Sequence, residues 1–256
     1  MLIFIVVALI GWVAGWSVNY LSDVLPERRK IVTPYCLVCE SRQSYWNYFL
    51  WPRRCSTCGE KRSIRTWIVE VIYIFITLLL WNTPPELLGF VVGLILLIYF
   101  GVVIVIDLEH RLILHPVSLV GGIVGLIIGV WLHGILNTII GGLAGFGIML
   151  GLYLLGYFIA KWIARVKNQV LDEEALGFGD VMLGGVLGLL LGWPGIVLGI
   201  VFAILIGGLV SLVYVLILLI RGRYQSFIAI PYGPFLVAGA MILLSFRDLI
   251  MAIAEN

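Results

Sequence analysis

Charge is what this chain of 256 residues has least of: Asp, Glu, Lys and Arg make up 12% of it, against 62% hydrophobic residues. No soluble core could hide that much apolar surface, so a water-soluble globule is excluded and an integral membrane protein is left. No charged side chain precedes Asp23. A cleaved signal peptide needs a basic start, so the first apolar run is expected to be a retained anchor. The polar loop holds no glycine-rich nucleotide fingerprint. Mid-membrane charge and a convincing inverted repeat are both missing, which weighs against a transporter. Cysteine is limited to four residues, all inside one short segment.

What is present is a succession of apolar runs. Spanning a bilayer takes roughly 20 residues of helix, and eight candidate stretches lie near 2–20, 67–81, 87–106, 117–133, 138–160, 181–193, 195–220 and 232–250. The expected fold is an all-α polytopic membrane helix bundle with about eight transmembrane helices. The expected division is 1–20 as a first transmembrane helix, 21–66 as a small cytoplasmic four-cysteine zinc loop, and 67–256 as the main bundle. With the N-terminus outside, fifteen of the sixteen Lys and Arg residues fall in the connections 21–66, 107–116, 161–180 and 221–231. Only Arg247 lies on the other side, the asymmetry that the positive-inside rule describes.

Two acids interrupt this pattern. Asp107 closes the run ending Val105-Ile106, and Asp180 ends Gly177-Phe178-Gly179-Asp180 just before another run. An acid at membrane depth costs roughly 2.5 to 3.5 kcal/mol, so such acids usually carry a function. In the expected topology both sit at the cytoplasmic boundary, where they can face each other. The alternative is an ordinary interfacial acid paired with Arg111 or Lys167. Gly177 and Gly179 are expected to support the site through positive φ and close backbone approach. Two carboxyls within hydrogen-bonding reach share a proton, so that one is base and the other acid, a pair able to hydrolyse a peptide bond.

Cys36-x2-Cys39 and Cys55-x2-Cys58, fifteen residues apart, have the spacing of a tetrahedral zinc site of four thiolates, closed to water and therefore structural. Two disulfides or free thiols are the alternative, disfavoured in a reducing cytoplasm. The same loop carries nine basic residues, which suit anionic headgroups.

The segments Asp107 to Arg111 with Leu114-His115-Pro116, and Glu174-Ala175-Leu176-Gly177-Phe178-Gly179-Asp180-Val181, resemble the bacterial type IV prepilin peptidases, G-x-G-D membrane aspartyl proteases. Asn19 to Pro26, Arg65 to Glu70 and Ile230 to Phe235 resemble further segments of that family in the same order. The resemblance implies an endopeptidase with Asp107 and Asp180 catalytic, removing the basic leader of prepilins or pseudopilins at the cytoplasmic face of the bacterial inner membrane. It also implies, for members with the cysteine loop, N-methylation of the new terminus by S-adenosylmethionine. Two departures stand out. Gln43 to Tyr48 occupies the place of the family's Asn-Ile-Pro segment, and Met182 stands where a lysine is common. Asp172-Glu173-Glu174 is a candidate acidic patch for a basic leader.

The partners expected are prepilin-like substrates and the lipid bilayer, with no nucleic acid. Pro231-Tyr232-Gly233-Pro234 is expected to bound a groove. Glu70 can snorkel to the surface or, as it falls in a segment that resembles the family, take a structural or site-supporting role; Glu109 and His110 suit headgroups as well as a catalytic role, and His115 and His133 are expected in a loop and at the outer interface. Glycines four apart at 125/129, 147/151, 188/192 and 195/199 suggest tight helix packing. They also keep open a glycine-rich transporter or channel with a structural zinc loop, or an assembly factor without activity.

Overall fold

In the computed structural model, residues 1–50, 53–167, 177–222 and 231–254 are described. Among them the chain is helical, with two isolated β-bridges and no β-strand. The helices are α1 (Leu2–Arg28), the short α2 (Tyr45–Phe49), α3 (Ile64–Asn82), α4 (Gly89–His110), α5 (His115–Lys167), α6 (Phe178–Leu191), α7 (Gly195–Ile220) and α8 (Gly233–Ala254). Five of these are long and apolar enough to cross a membrane, and α6 and the Gly233–Ser245 part of α8 are shorter apolar helices. Large apolar side chains such as Leu205, Leu209 and Leu212 on α7 are exposed, as lipid-facing positions would be.

Helix α5 accounts for two of the expected spans. Its continuity is broken at Gly134, with φ 75° and ψ 164°, a region that residues with a Cβ scarcely enter. Gly125 and Gly129 before the break, and Gly141, Gly142 and Gly145 after it, all meet α6. The chain therefore reverses at Gly134 and grips α6 between two arms. A Cβ on Gly129 would lie 2.0 Å from the carbonyl oxygen of Leu189, and one on Gly141 would lie 2.4 Å from that of Gly188. Small residues let these backbones touch, which is how helices associate where lipid supplies no hydrophobic drive. The pair Gly147/Gly151 differs: nothing approaches either within 4 Å. Those two positions do not serve packing against the described residues.

The chain forms two compact units, Met1–Ile106 and Asp107–Asn256. In the first, α1 and α3 pack closely where Gly11 and Gly15 lie against Tyr73 and Glu70. The Tyr73 hydroxyl donates to the carbonyl of Leu97 on α4 at 2.7 Å. In the second, α5, α6, α7 and α8 surround a core that includes Met149, Leu183, Leu187, Ile196 and Leu236.

Candidate carboxyl site and metal loop

Asp107 lies in the last turn of α4. That turn stops because Arg111 takes a left-handed conformation, φ 52°, while its N–H returns to the Asp107 carbonyl at 2.9 Å. Asp180 lies in the first turn of α6, where its side chain accepts from the Gly177 N–H at 3.3 Å and its own N–H donates to the Gly177 carbonyl at 3.0 Å. An acid at a helix N-terminus meets the positive end of the helix dipole. Both acids are buried, at 4% and 8% exposure.

Three segments of the second unit converge here. The Gly233 N–H, at the start of α8, donates to Asp107 Oδ2 at 2.9 Å. A Cβ on Gly233 would fall 2.7 Å from that oxygen and 3.5 Å from Ile113 Cδ1. From the other side, a Cβ on Gly179 would fall 2.8 Å from Ile113 Cβ. Ile113 thus stands between the Asp107 and Asp180 segments, and the two carboxyls lie within electrostatic range of each other. Asp180 Oδ1 is buried with no hydrogen-bond partner among the described residues. A buried carboxylate oxygen left so is costly and calls for a water or a substrate group.

Arg111 makes no ion pair with Asp107 or Asp180 among the described residues. Lys167 is described in its backbone only, while Asp172, Glu173 and Glu174 lie outside the described residues. Neither site glycine uses positive φ: Gly177 is extended, with φ −79°, and Gly179 is helical. The expected positive φ is therefore absent at both, while Gly179 allows close approach of Ile113. Met182 is half-buried on α6.

In the first unit the four Sγ atoms of Cys36, Cys39, Cys55 and Cys58 lie within 4.8 Å of one another. The Cys36–Cys58 and Cys39–Cys55 sulfurs are 3.6 Å apart, too far for disulfides. Four thiolates at about 2.3 Å from one ion would stand roughly 3.8 Å apart, so the donor set fits a tetrahedral metal. Two similar turns build it. Cys36 and Cys55 each accept at their carbonyls from Glu40 and Gly59, and those two residues take positive φ, 54° and 74°. N–H groups of Cys58 and Thr57 and the Ser41 hydroxyl hold the Cys55 thiol down at about 5, favouring the thiolate.

Between this loop and the helices lies a buried ionic network that the sequence did not disclose. Arg53 pairs with Glu70 at 3.0 Å, both nearly inaccessible, and stacks 4.2 Å from the Trp67 ring. The Trp12 indole N–H donates to the same Glu70 carboxylate at 2.8 Å. Glu70 therefore does not snorkel, because an arginine from the loop reaches it in the interior. Asp23 is held by Arg62, Arg65 and the Tyr48 hydroxyl. Burial first, then the charge of Asp23, pushes the Tyr48 phenol up, so it stays a neutral donor. The one available signal was positional: Asp23 is the first charge after an uncharged run and faces a loop rich in basic residues.

The fold and the site thus define a polytopic membrane protein with a buried carboxyl pair at the ends of two apolar helices. Residues 91–212 match the Type IV leader peptidase family. Proteins named prepilin leader peptidase/N-methyltransferase from Aeromonas hydrophila, Pectobacterium carotovorum and Legionella pneumophila are 26%, 31% and 28% identical to it. These alignments cover 78%, 75% and 77% of this chain and 65%, 65% and 64% of the relatives. The chain spans just under two thirds of the length of those relatives. No solved structure matches it. On these matches the chain is similar to the type IV prepilin peptidases.

Proposed function

We propose that this protein is a membrane aspartyl endopeptidase that removes the basic leader of type IV prepilins or pseudopilins at the cytoplasmic face of the bacterial inner membrane, with its N-terminus outside. The observation that carries the reading is the convergence of buried Asp107 and of Gly179, the neighbour of buried Asp180, on Gly233 and Ile113, with one Asp180 oxygen lacking a partner among the described residues. One carboxyl takes a proton from water as that water attacks the scissile carbonyl, and the other, protonated, donates to the carbonyl oxygen. The pair titrates as a unit. A substrate with a polar leader joined to an apolar helix would present its scissile bond at the membrane edge, the depth this reading assigns to both acids. Gly177 and Gly179 support the site by fixing Asp180 and admitting Ile113.

Cys36, Cys39, Cys55 and Cys58 would hold one zinc ion as a structural centre, since four thiolates leave no position for water. The relatives' name adds N-methylation, for which S-adenosylmethionine would be the donor. Nothing among the described residues assigns that donor a place, and no step is routed through it. Transfer of a labelled methyl group to processed substrate is the test of that second activity. Cleavage of a prepilin-like substrate in membranes by wild type, Asp107→Asn and Asp180→Asn tests the first. Both variants are expected to be inactive. Solute flux that survives both substitutions, with no cleavage by wild type, would favour the transporter reading instead.

A further inference from the structure

Tyr232 is not used by the two-carboxylate chemistry, yet it is built into the same site. The peptide unit joining it to Gly233 is pinned on both edges. Its N–H, from Gly233, bonds Asp107 Oδ2 at 2.9 Å. Its carbonyl, from Tyr232, accepts from Phe235 and Leu236 at 3.0 and 3.2 Å. A planar peptide held at both edges fixes the orientation of the backbone from which the Tyr232 side chain projects.

The ring is fixed as well. It meets the Phe235 ring edge to face at 6.2 Å, and a Cβ on Gly207 of α7 would lie 3.5 Å from its Cε2. Gly207 thus faces both rings, with Phe235 the nearer at 3.2 Å. The phenol lies within electrostatic range of Asp180, and its hydroxyl makes no hydrogen bond among the described residues. A half-buried phenol, next in the chain to the N–H that bonds Asp107, thus neighbours a site where one Asp180 oxygen has no partner among the described residues.

We propose that the Tyr232 hydroxyl is an oxyanion donor for peptide hydrolysis at this site, an inference that rests on the aspartyl peptidase reading. The water oxygen bonds to the scissile carbonyl carbon while its proton passes to the ionised carboxylate. The carbonyl π pair moves to oxygen, where Tyr232 donates a hydrogen bond and keeps its proton, beside the protonated carboxyl. That pair returns as the C–N bond breaks, and the amine leaves with a proton from the carboxyl. Interactions made mainly in the transition state act on kcat rather than on KM.

The test is Tyr232→Phe, which removes the oxygen and keeps the ring on Phe235. Steady-state cleavage of a prepilin-like substrate in reconstituted vesicles should show kcat lowered about a hundredfold, with KM within about twofold and an unchanged unfolding temperature. An unchanged kcat, or a loss confined to KM, overturns the inference. As a second measurement, uncut substrate should bind Asp180→Asn and Asp180→Asn/Tyr232→Phe equally well, and weaker binding by the double variant overturns it too. The two readings separate cleanly. Cleavage by Asp180→Asn removes the peptidase reading, whereas an inactive Asp180→Asn with a fully active Tyr232→Phe removes only the role of Tyr232.

Discussion

Replacing Arg53 by methionine keeps much of the side-chain volume but leaves Glu70 buried without its cation. Both partners are 4–5% exposed, so water cannot substitute for the lost guanidinium. Breaking a buried pair by removing one member costs about 3–5 kcal/mol. Arg53 also donates to the carbonyls of Phe49 and Leu50, closing α2, and it holds a left-handed conformation with φ 55° to do so. At roughly 2–4 °C per kcal/mol for a chain of this size, the variant should unfold about 6–20 °C lower. Intrinsic tryptophan fluorescence during heating in detergent or nanodiscs reads this, because Trp12 and Trp67 both touch the pair. Arg53→Met/Glu70→Leu removes both charges and should recover most of the loss, since an apolar replacement of a buried pair is often neutral. A penalty below about 1 kcal/mol for Arg53→Met alone, the worth of a surface pair, would refute the buried-network account.

Gly233→Ala places a Cβ 2.7 Å from Asp107 Oδ2, and the carboxyl must shift; a displacement of about 1 Å should lower cleavage on the order of a hundredfold, with the unfolding temperature as control. Cys36→Ser should abolish stoichiometric zinc in elemental analysis. It should also speed amide exchange in α1 and α3, because the metal turn around Cys55 lies between Arg53 and Arg62, the arginines that seat on Glu70 and Asp23. Unchanged zinc content would remove Cys36 from the ligand set.

The helices were legible because lipid demands long apolar runs, and their ends were less so. Helix α1 runs on to Arg28 and α5 to Lys167, both past the apolar stretches. The reversal in α5 was visible only as a gap between two runs, whereas the turn is concentrated at Gly134. Asp107 and Asp180 stood out because acids are rare in apolar sequence. The contact that seats Asp107 did not, since Gly233 is 126 residues away. The same distance problem hid the ion pairs. Glu70 looks like a snorkelling acid until Arg53 is seen beside it, and no local pattern pairs Asp23 with Arg62 and Arg65, 39 and 42 residues away. The cysteine spacing was local and readable, but not the role of its turn as a carrier of arginines.

The most direct measurement is the rate of leader cleavage by wild type, Asp107→Asn and Asp180→Asn proteins purified at equal amounts and reconstituted with a prepilin-like substrate. A working dyad gives cleavage with wild type and none above background with either variant, each still folded by its unfolding temperature. Cleavage retained by either folded variant would contradict the central claim.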